Sequence, residues 1–179
     1  MIRAVRLVAA LLASIALLAA PAAADTATVK DRVGDAVTGP EGAGLDITGA
    51  RFDNGTERVV ATVSFDSLQR GDLVVSVAPR GGGGLRLVSY YRPGKPARSF
   101  VLSGSFDDVG RGRVDCKGFR VTWNHRAATA RLTMPSGCLA HAEYGELRFA
   151  VLTETSGGDT DAAPGHGDHV GRTRWIARG

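Results

Sequence analysis

From residue 45 onward, apolar and polar positions alternate in short runs, each closed by Gly, Pro, Asp or Asn. A period of two is the mark of a strand with one face against a core. The first run is Leu45-Asp46-Ile47-Thr48-Gly49-Ala50-Arg51-Phe52, closed by Asp53-Asn54-Gly55. In the next, Val59, Ala61, Val63 and Phe65 share one face, and Val60, Thr62 and Ser64 the other. Asn-Gly between two such runs predicts a hairpin. Leu73–Ala78 follows, then Gly81–Gly84 as a flexible link into Leu85–Tyr91, and Pro93-Gly94-Lys95-Pro96 turns the chain toward Arg98–Leu102.

The second half repeats the habit. Phe119, Val121 and Trp123 alternate with Arg120, Thr122 and Asn124; Ala128, Ala130, Leu132 and Met134 alternate with Thr129, Arg131 and Thr133. The link 124–127 joins these two runs as a hairpin. Leu147, Phe149 and Val151 mark a further strand, and residues 170–177 the last. After residue 24 no stretch of eleven or more residues carries helical periodicity. The fold class predicted is all-β, an antiparallel sandwich of two sheets and about nine strands, jelly-roll or immunoglobulin-like. A closed β-barrel is the alternative.

The first 24 residues follow a different rule. Arg3 and Arg6 form a basic start, Leu7–Ala20 is apolar apart from Ser14, Pro21 interrupts it, and Ala22-Ala23-Ala24 supplies small residues. That is the three-part pattern of a secretory signal peptide, with cleavage expected after Ala24. The apolar run is shorter than the ~20 residues a spanning helix needs. The expected organisation is therefore a signal peptide at 1–24 and a single domain at 25–179, soluble and extracellular. No second spanning segment follows.

Composition adds limits. The full chain has 22 basic and 18 acidic residues; without Arg3 and Arg6 the balance is 20 to 18. So small an excess is no footprint for nucleic acid or an anionic membrane. Two cysteines, Cys116 and Cys138, are predicted to form a disulfide, because an even count in an exported chain favours a bridge. It would tie the open end of the 119–134 hairpin.

The order of motifs carries a resemblance. Asp31-Arg32-Val33-Gly34-Asp35 precedes Leu45-Asp46-Ile47-Thr48; Cys116-Lys117-Gly118-Phe119-Arg120-Val121 precedes a hairpin and Met134-Pro135-Ser136-Gly137-Cys138-Leu139; Asp161-Ala162-Ala163-Pro164 precedes the closing strand. Taken together, the chain resembles the uncharacterised secreted proteins of GC-rich Gram-positive bacteria. The opening Asp-rich pattern is remotely similar to DOMON-like domains and family 9 carbohydrate-binding modules, which are β-sandwiches. The resemblance implies fold and location, and no activity.

Candidate chemistry is sparse. Asp31, Asp35 and Asp46, with Asp161 brought in from the far end, offer the hard oxygen ligands that Ca²⁺ prefers. Their spacing does not match an EF-hand loop. The competing expectation is an ion-pair corner with Arg32, Arg172 or Arg174. A second group, Asp159, Asp161, His166, Asp168 and His169, could hold Zn²⁺ or Cu²⁺, but its Gly-rich setting reads as a solvated loop. Gly81–Gly84 lacks the Lys-Ser or Lys-Thr and the helix of a phosphate loop. There is no Gly-x-Ser-x-Gly elbow, so no catalytic residue is assigned. With 6% aromatic residues, a sugar platform has little to build from. Of Tyr90 and Tyr91, only one can face a core. Two functions remain: a non-catalytic binding module for a cell-wall or other extracellular ligand, calcium-stabilised, or a small secreted hydrolase whose carboxylate pair need not be close in sequence. If the leader is read correctly, intact-mass analysis of protein from the culture medium gives a chain beginning at Asp25; a chain retaining Met1 there overturns it.

Overall fold

The structure is a computed structural model that describes residues 25–37, 44–108, 110, 112–139, 143–166 and 169–179. The signal peptide expected at 1–24 lies outside the described residues. In chain order the strands are β1 (Thr26–Lys30), β2 (Ile47–Asn54), β3 (Arg58–Phe65), β4 (Gly71–Pro79), β5 (Leu85–Tyr91), β6 (Arg98–Ser103) and β7 (Arg113–Val114). They continue as β8 (Arg120–Asn124), β9 (Thr129–Pro135), β10 (Glu146–Thr155), β11 (Gly158–Ala163), β12 (Gly165–His166), β13 (His169–Val170) and β14 (Ile176–Ala177). A 3₁₀ turn, Ser136–Cys138, follows β9.

Two antiparallel sheets face each other. One has the order β1-β2-β3-β9-β8; the other has β11-β10-β4-β5-β6-β7, with β14 also paired to β10. They are not closed into a barrel. The two-sheet expectation therefore holds, and the barrel alternative does not: β1 and β8 end one sheet, β11 and β7 the other. Hairpins build each sheet, and the chain crosses between sheets from β3 to β4, from β7 to β8 and from β9 to β10. Across the sandwich β2 faces β10, and β8 faces β5.

The inward faces are the ones that alternation predicts. Val59, Ala61, Val63 and Phe65 of β3, Leu132 and Met134 of β9, Leu73, Val75 and Val77 of β4, and Leu147, Phe149 and Val151 of β10 are all buried. Phe52 and Phe149 stack across the two sheets with ring centroids 4.7 Å apart. Each such ring removes on the order of 150–250 Å² from water. Tyr91 is the inward member of the tyrosine pair, and Tyr90 remains 36% exposed. Trp123 packs on Tyr91 and Phe65, and its Nε1 donates to Ser89 Oγ at 3.1 Å.

The sequence pattern missed β1, β7, β11 and β12. The segment from 157 to 166, read as a solvated loop, is largely strand: β11 pairs along β10, and β12 pairs with β13. The predicted strand 170–177 is instead two short pieces, β13 and β14. At the other end of the sandwich, Arg174 grips the Asp25 carboxylate through two 2.9 Å hydrogen bonds, and Gly179 N donates to Asn54 O.

Cys116 and Cys138 are bonded, with their Cα atoms 5.5 Å apart. The bridge joins the entry to β8 with the turn after β9, at the open end of that hairpin. Closing a loop of this size contributes about 3 kcal/mol in the chain-entropy account. The Cys116→Ser/Cys138→Ser double variant should lose roughly that much in urea denaturation. Titration of the unfolded, unreduced wild type should find no free thiol.

Candidate metal centre at the acidic corner

The four aspartates singled out in the sequence reach one corner of the sandwich by two different routes. Asp31 follows directly on β1, and Asp35 lies in the segment that leaves it. Asp46 precedes β2, and Asp161 lies within β11, in the opposite sheet. Carboxylate oxygens of Asp35, Asp46 and Asp161 lie within 4.8 Å of one another. Asp31 is outside that set, yet close enough for Asp35 and Asp46 to disfavour its charge.

Two β-bulges frame the corner. Ile47 pairs with Phe65 and Gly49 with Ser64, so Thr48 is an extra residue on β2. Thr153 pairs with Asp161 and Glu154 with Asp159, so Thr160 is an extra residue on β11. A bulge bends its strand and re-aims the neighbouring side chains. The carbonyls of both extra residues accept N–H groups from the segment after β1: Asp31 N donates to Thr48 O at 3.1 Å, and Val37 N to Thr160 O at 2.7 Å. The segment 31–37 is thereby tied to both sheets.

Asp161 is 7% exposed. Its Oδ2 accepts the Ile47 N–H at 2.6 Å, across the sandwich, and its Oδ1 accepts the Ala162 N–H at 2.7 Å. Thr153 Oγ1 donates to Leu45 O and lies 2.9 Å from Thr160 Oγ1, closing the wall behind it. Asp46 Oδ2 accepts the Gly34 N–H at 2.7 Å, and Asp31 Oδ1 accepts the Arg32 N–H at 3.0 Å. What remains is unusual. One oxygen each of Asp31, Asp35 and Asp46 is shut off from solvent and accepts no hydrogen bond. A buried oxygen without a donor costs about 1–3 kcal/mol, and more if charged.

The electrostatics report the same crowding. Burial, above all, raises Asp161 to about 6; the two N–H donors oppose that rise, and the charges of Asp31 and Asp35 add to it. Burial also raises Asp31, with Asp35 and Asp46 contributing. Arginine does not relieve the corner among the described residues. Arg174 is held by Asp25, whose pKa it draws down to about 2, at the opposite end of β1. Arg172 pairs with Asp107. The ion-pair corner expected from sequence proximity is therefore not what forms.

Two oxygens on opposite sides of one Ca²⁺ stand at most about 5 Å apart, since each lies 2.3–2.6 Å from the ion. The Asp35, Asp46 and Asp161 set meets that limit, and the donorless oxygens are what a hard cation would satisfy. In the second sequence cluster, Asp161 belongs to the acidic corner and His169 is exposed on β13; Asp168 lies outside the described residues. Thr153 and Thr160 were not foreseen, because their role depends on a bulge register that alternation does not encode. Neither a protein-family model nor a curated protein matches the chain.

The sign of the pH dependence follows. Asp161 has a folded pKa above its unfolded value, so it favours folding while protonated, and this contribution is lost as pH rises from about 4 through about 6. In EDTA, urea denaturation of the wild type between pH 4 and pH 7 should lose on the order of 2–3 kcal/mol that an Asp161→Asn variant does not lose.

Proposed function

We propose that the chain is an exported, non-catalytic binding module whose β-sandwich carries a structural Ca²⁺ held by Asp35, Asp46 and Asp161, with Asp31 beside them. The observation that carries the metal reading is the set of buried carboxylate oxygens without donors, facing a neighbour set compact enough for one ion. Protonation of Asp161 relieves only one charge, and only below about pH 6. Above that, a divalent cation is the remaining way to offset carboxylates packed this closely. By joining segment 31–37, the start of β2 and β11, the ion would brace the two sheets where apolar contact gives out.

The hydrolase alternative is weaker. A raised acid beside other carboxylates is how glycosidases hold a proton. Here, however, both oxygens of Asp161 face backbone N–H groups within the protein. A general acid must reach its substrate, and this one is turned inward. Binding therefore accounts for the corner better than catalysis. Export is supported by the leader pattern and is compatible with the disulfide. No helix among the described residues is long and apolar enough to cross a membrane.

Asp35 gives the cleanest test, since its side chain accepts no hydrogen bond from a described residue. Thermal melts at pH 7.5 should show the wild-type midpoint rising by several degrees as Ca²⁺ goes from EDTA to millimolar concentrations, because an ion bound only to the folded state stabilises by mass action. Asp35→Asn should keep its EDTA midpoint or raise it, and should lose most of the calcium response. A wild type indifferent to Ca²⁺ overturns the metal reading.

A further inference from the structure

The outer face of the larger sheet carries a second feature, separate from the acidic corner. Because β4, β5, β6 and β10 pair in register, Leu152, Val74, Val88 and Phe100 line up in one row across four strands. Val74, Val88 and Leu152 are almost wholly buried there, in a cluster distinct from the core between the sheets. Phe106 packs against this row beside β4. Its loop is pinned: Phe106 N donates to Ser76 Oγ at 2.9 Å, and Ser105 Oγ bonds Asp108 at 3.1 Å. A groove of about 370 Å³ runs over this row, walled by Tyr90, Phe100, Phe106, Arg86 and Arg113. Tyr90 also lines a second groove of about 270 Å³, with Arg92, Lys95, Pro96 and Arg98. The aromatic count that argued against a sugar platform did not foresee three rings gathered on one face.

The charge along this track is one-sided. Five cations line it, against Glu154 at one wall and Asp72, which is already paired with Arg92 at 2.7 Å. Arg86 spends its donors on the carbonyls of Gly104 and Ser103 while its charge still faces the groove. The Arg113 guanidinium lies 4.2 Å from the centre of the Phe100 ring, a cation–π contact that fixes its position. Arg98, Lys95 and Arg113 have no carboxylate partner among the described residues.

We propose that the track over β4, β5 and β6 binds a linear polysaccharide bearing carboxylates, a polyuronate, with one sugar ring against Tyr90 and neighbouring carboxylates on Arg98 and Arg113. Two grooves that share Tyr90 suit a chain laid over that ring better than a compact ligand. Arginine pairs with carboxylate through two parallel hydrogen bonds. A single exposed ring beside an aliphatic floor suits a sugar face; a single-stranded nucleic acid would want successive rings on which to stack its bases. The proposal rests on the reading of the chain as an exported binding module and names its ligand class.

Affinity electrophoresis tests it, using protein purified from expression of the full chain, in EDTA and below its melting temperature. EDTA removes any calcium bridge between the acidic corner and the polymer. Polygalacturonate in the gel should retard the wild type, and fully methyl-esterified polygalacturonate should not. Tyr90→Ala and Arg98→Ala should each weaken binding by about tenfold, the loss expected of one stacking platform or one ion contact, with unchanged melting temperatures. Added salt should weaken it further. Indifference to polygalacturonate, equal retardation by the ester, equal or tighter binding of oligodeoxythymidylate, or full binding by both variants overturns the proposal. The calcium melt is independent, so a protein that answers to Ca²⁺ and ignores the polymer loses only the groove assignment.

Discussion

Everything in this molecule depends on keeping water out from between two apolar sheet faces. The Phe52–Phe149 stack between β2 and β10 and the aliphatic residues around it accomplish that at the centre. Apolar contact cannot extend to the rims, because β1 and β11 carry little of it: within β1 only Ala27 is buried. There the seal is polar. The Asp161–Ile47 hydrogen bond crosses from one sheet to the other, and Thr153 reaches Leu45 O beside it. An acid is well suited to that place, since it accepts two backbone N–H groups at once. Its cost is a buried negative charge, and the rest of the corner follows from how that charge is offset.

How much of this the sequence could show depended on whether an element obeyed a local rule. β9 alternates cleanly because one face is buried and the other is not, and β3 and β10 keep a strictly apolar inward face, so their inward residues could be named in advance. β1 reads Thr-Ala-Thr-Val-Lys and buries only one side chain, so its alternation is too faint to register. β11 reads Gly-Asp-Thr-Asp-Ala-Ala, rich in residues that strands usually avoid. It is held by pairing with β10 and by Asp161. The acidic corner was half legible. Asp31, Asp35 and Asp46 are sequence neighbours, but Asp46 and Asp161 meet only because the sheets are stacked. The competing arginines could not be excluded from sequence either. Arg174 lies only thirteen residues from Asp161, and what separates them is the length of β1, about 17 Å at 3.3 Å per residue.

A proton and the proposed calcium ion would compete for the same corner. Both relieve the crowding of Asp161 with Asp31 and Asp35, but in opposite pH ranges. Below about pH 6 a proton on Asp161 suffices; above it a divalent ion has the advantage, because it answers several carboxylates together. Under the proposed function, the stability of the fold would depend on calcium near neutral pH and much less so in acid.

The corner and the outer groove share β10 without sharing a face. Thr153 points inward to Leu45 and Thr160, while its neighbour Leu152 points outward into the apolar row beneath the groove. Strand geometry forces that division, since successive side chains leave opposite sides of the sheet. A change at Thr153 is felt by the corner, and a change at Leu152 by the groove floor. The bulge between Thr153 and Glu154 then shifts the register of β11 just beyond this pair. Without it, Asp161 could not pair beside Thr153 while Thr160 turned its carbonyl to segment 31–37. One strand thereby serves two surfaces, and the bulge lets each be set without disturbing the other.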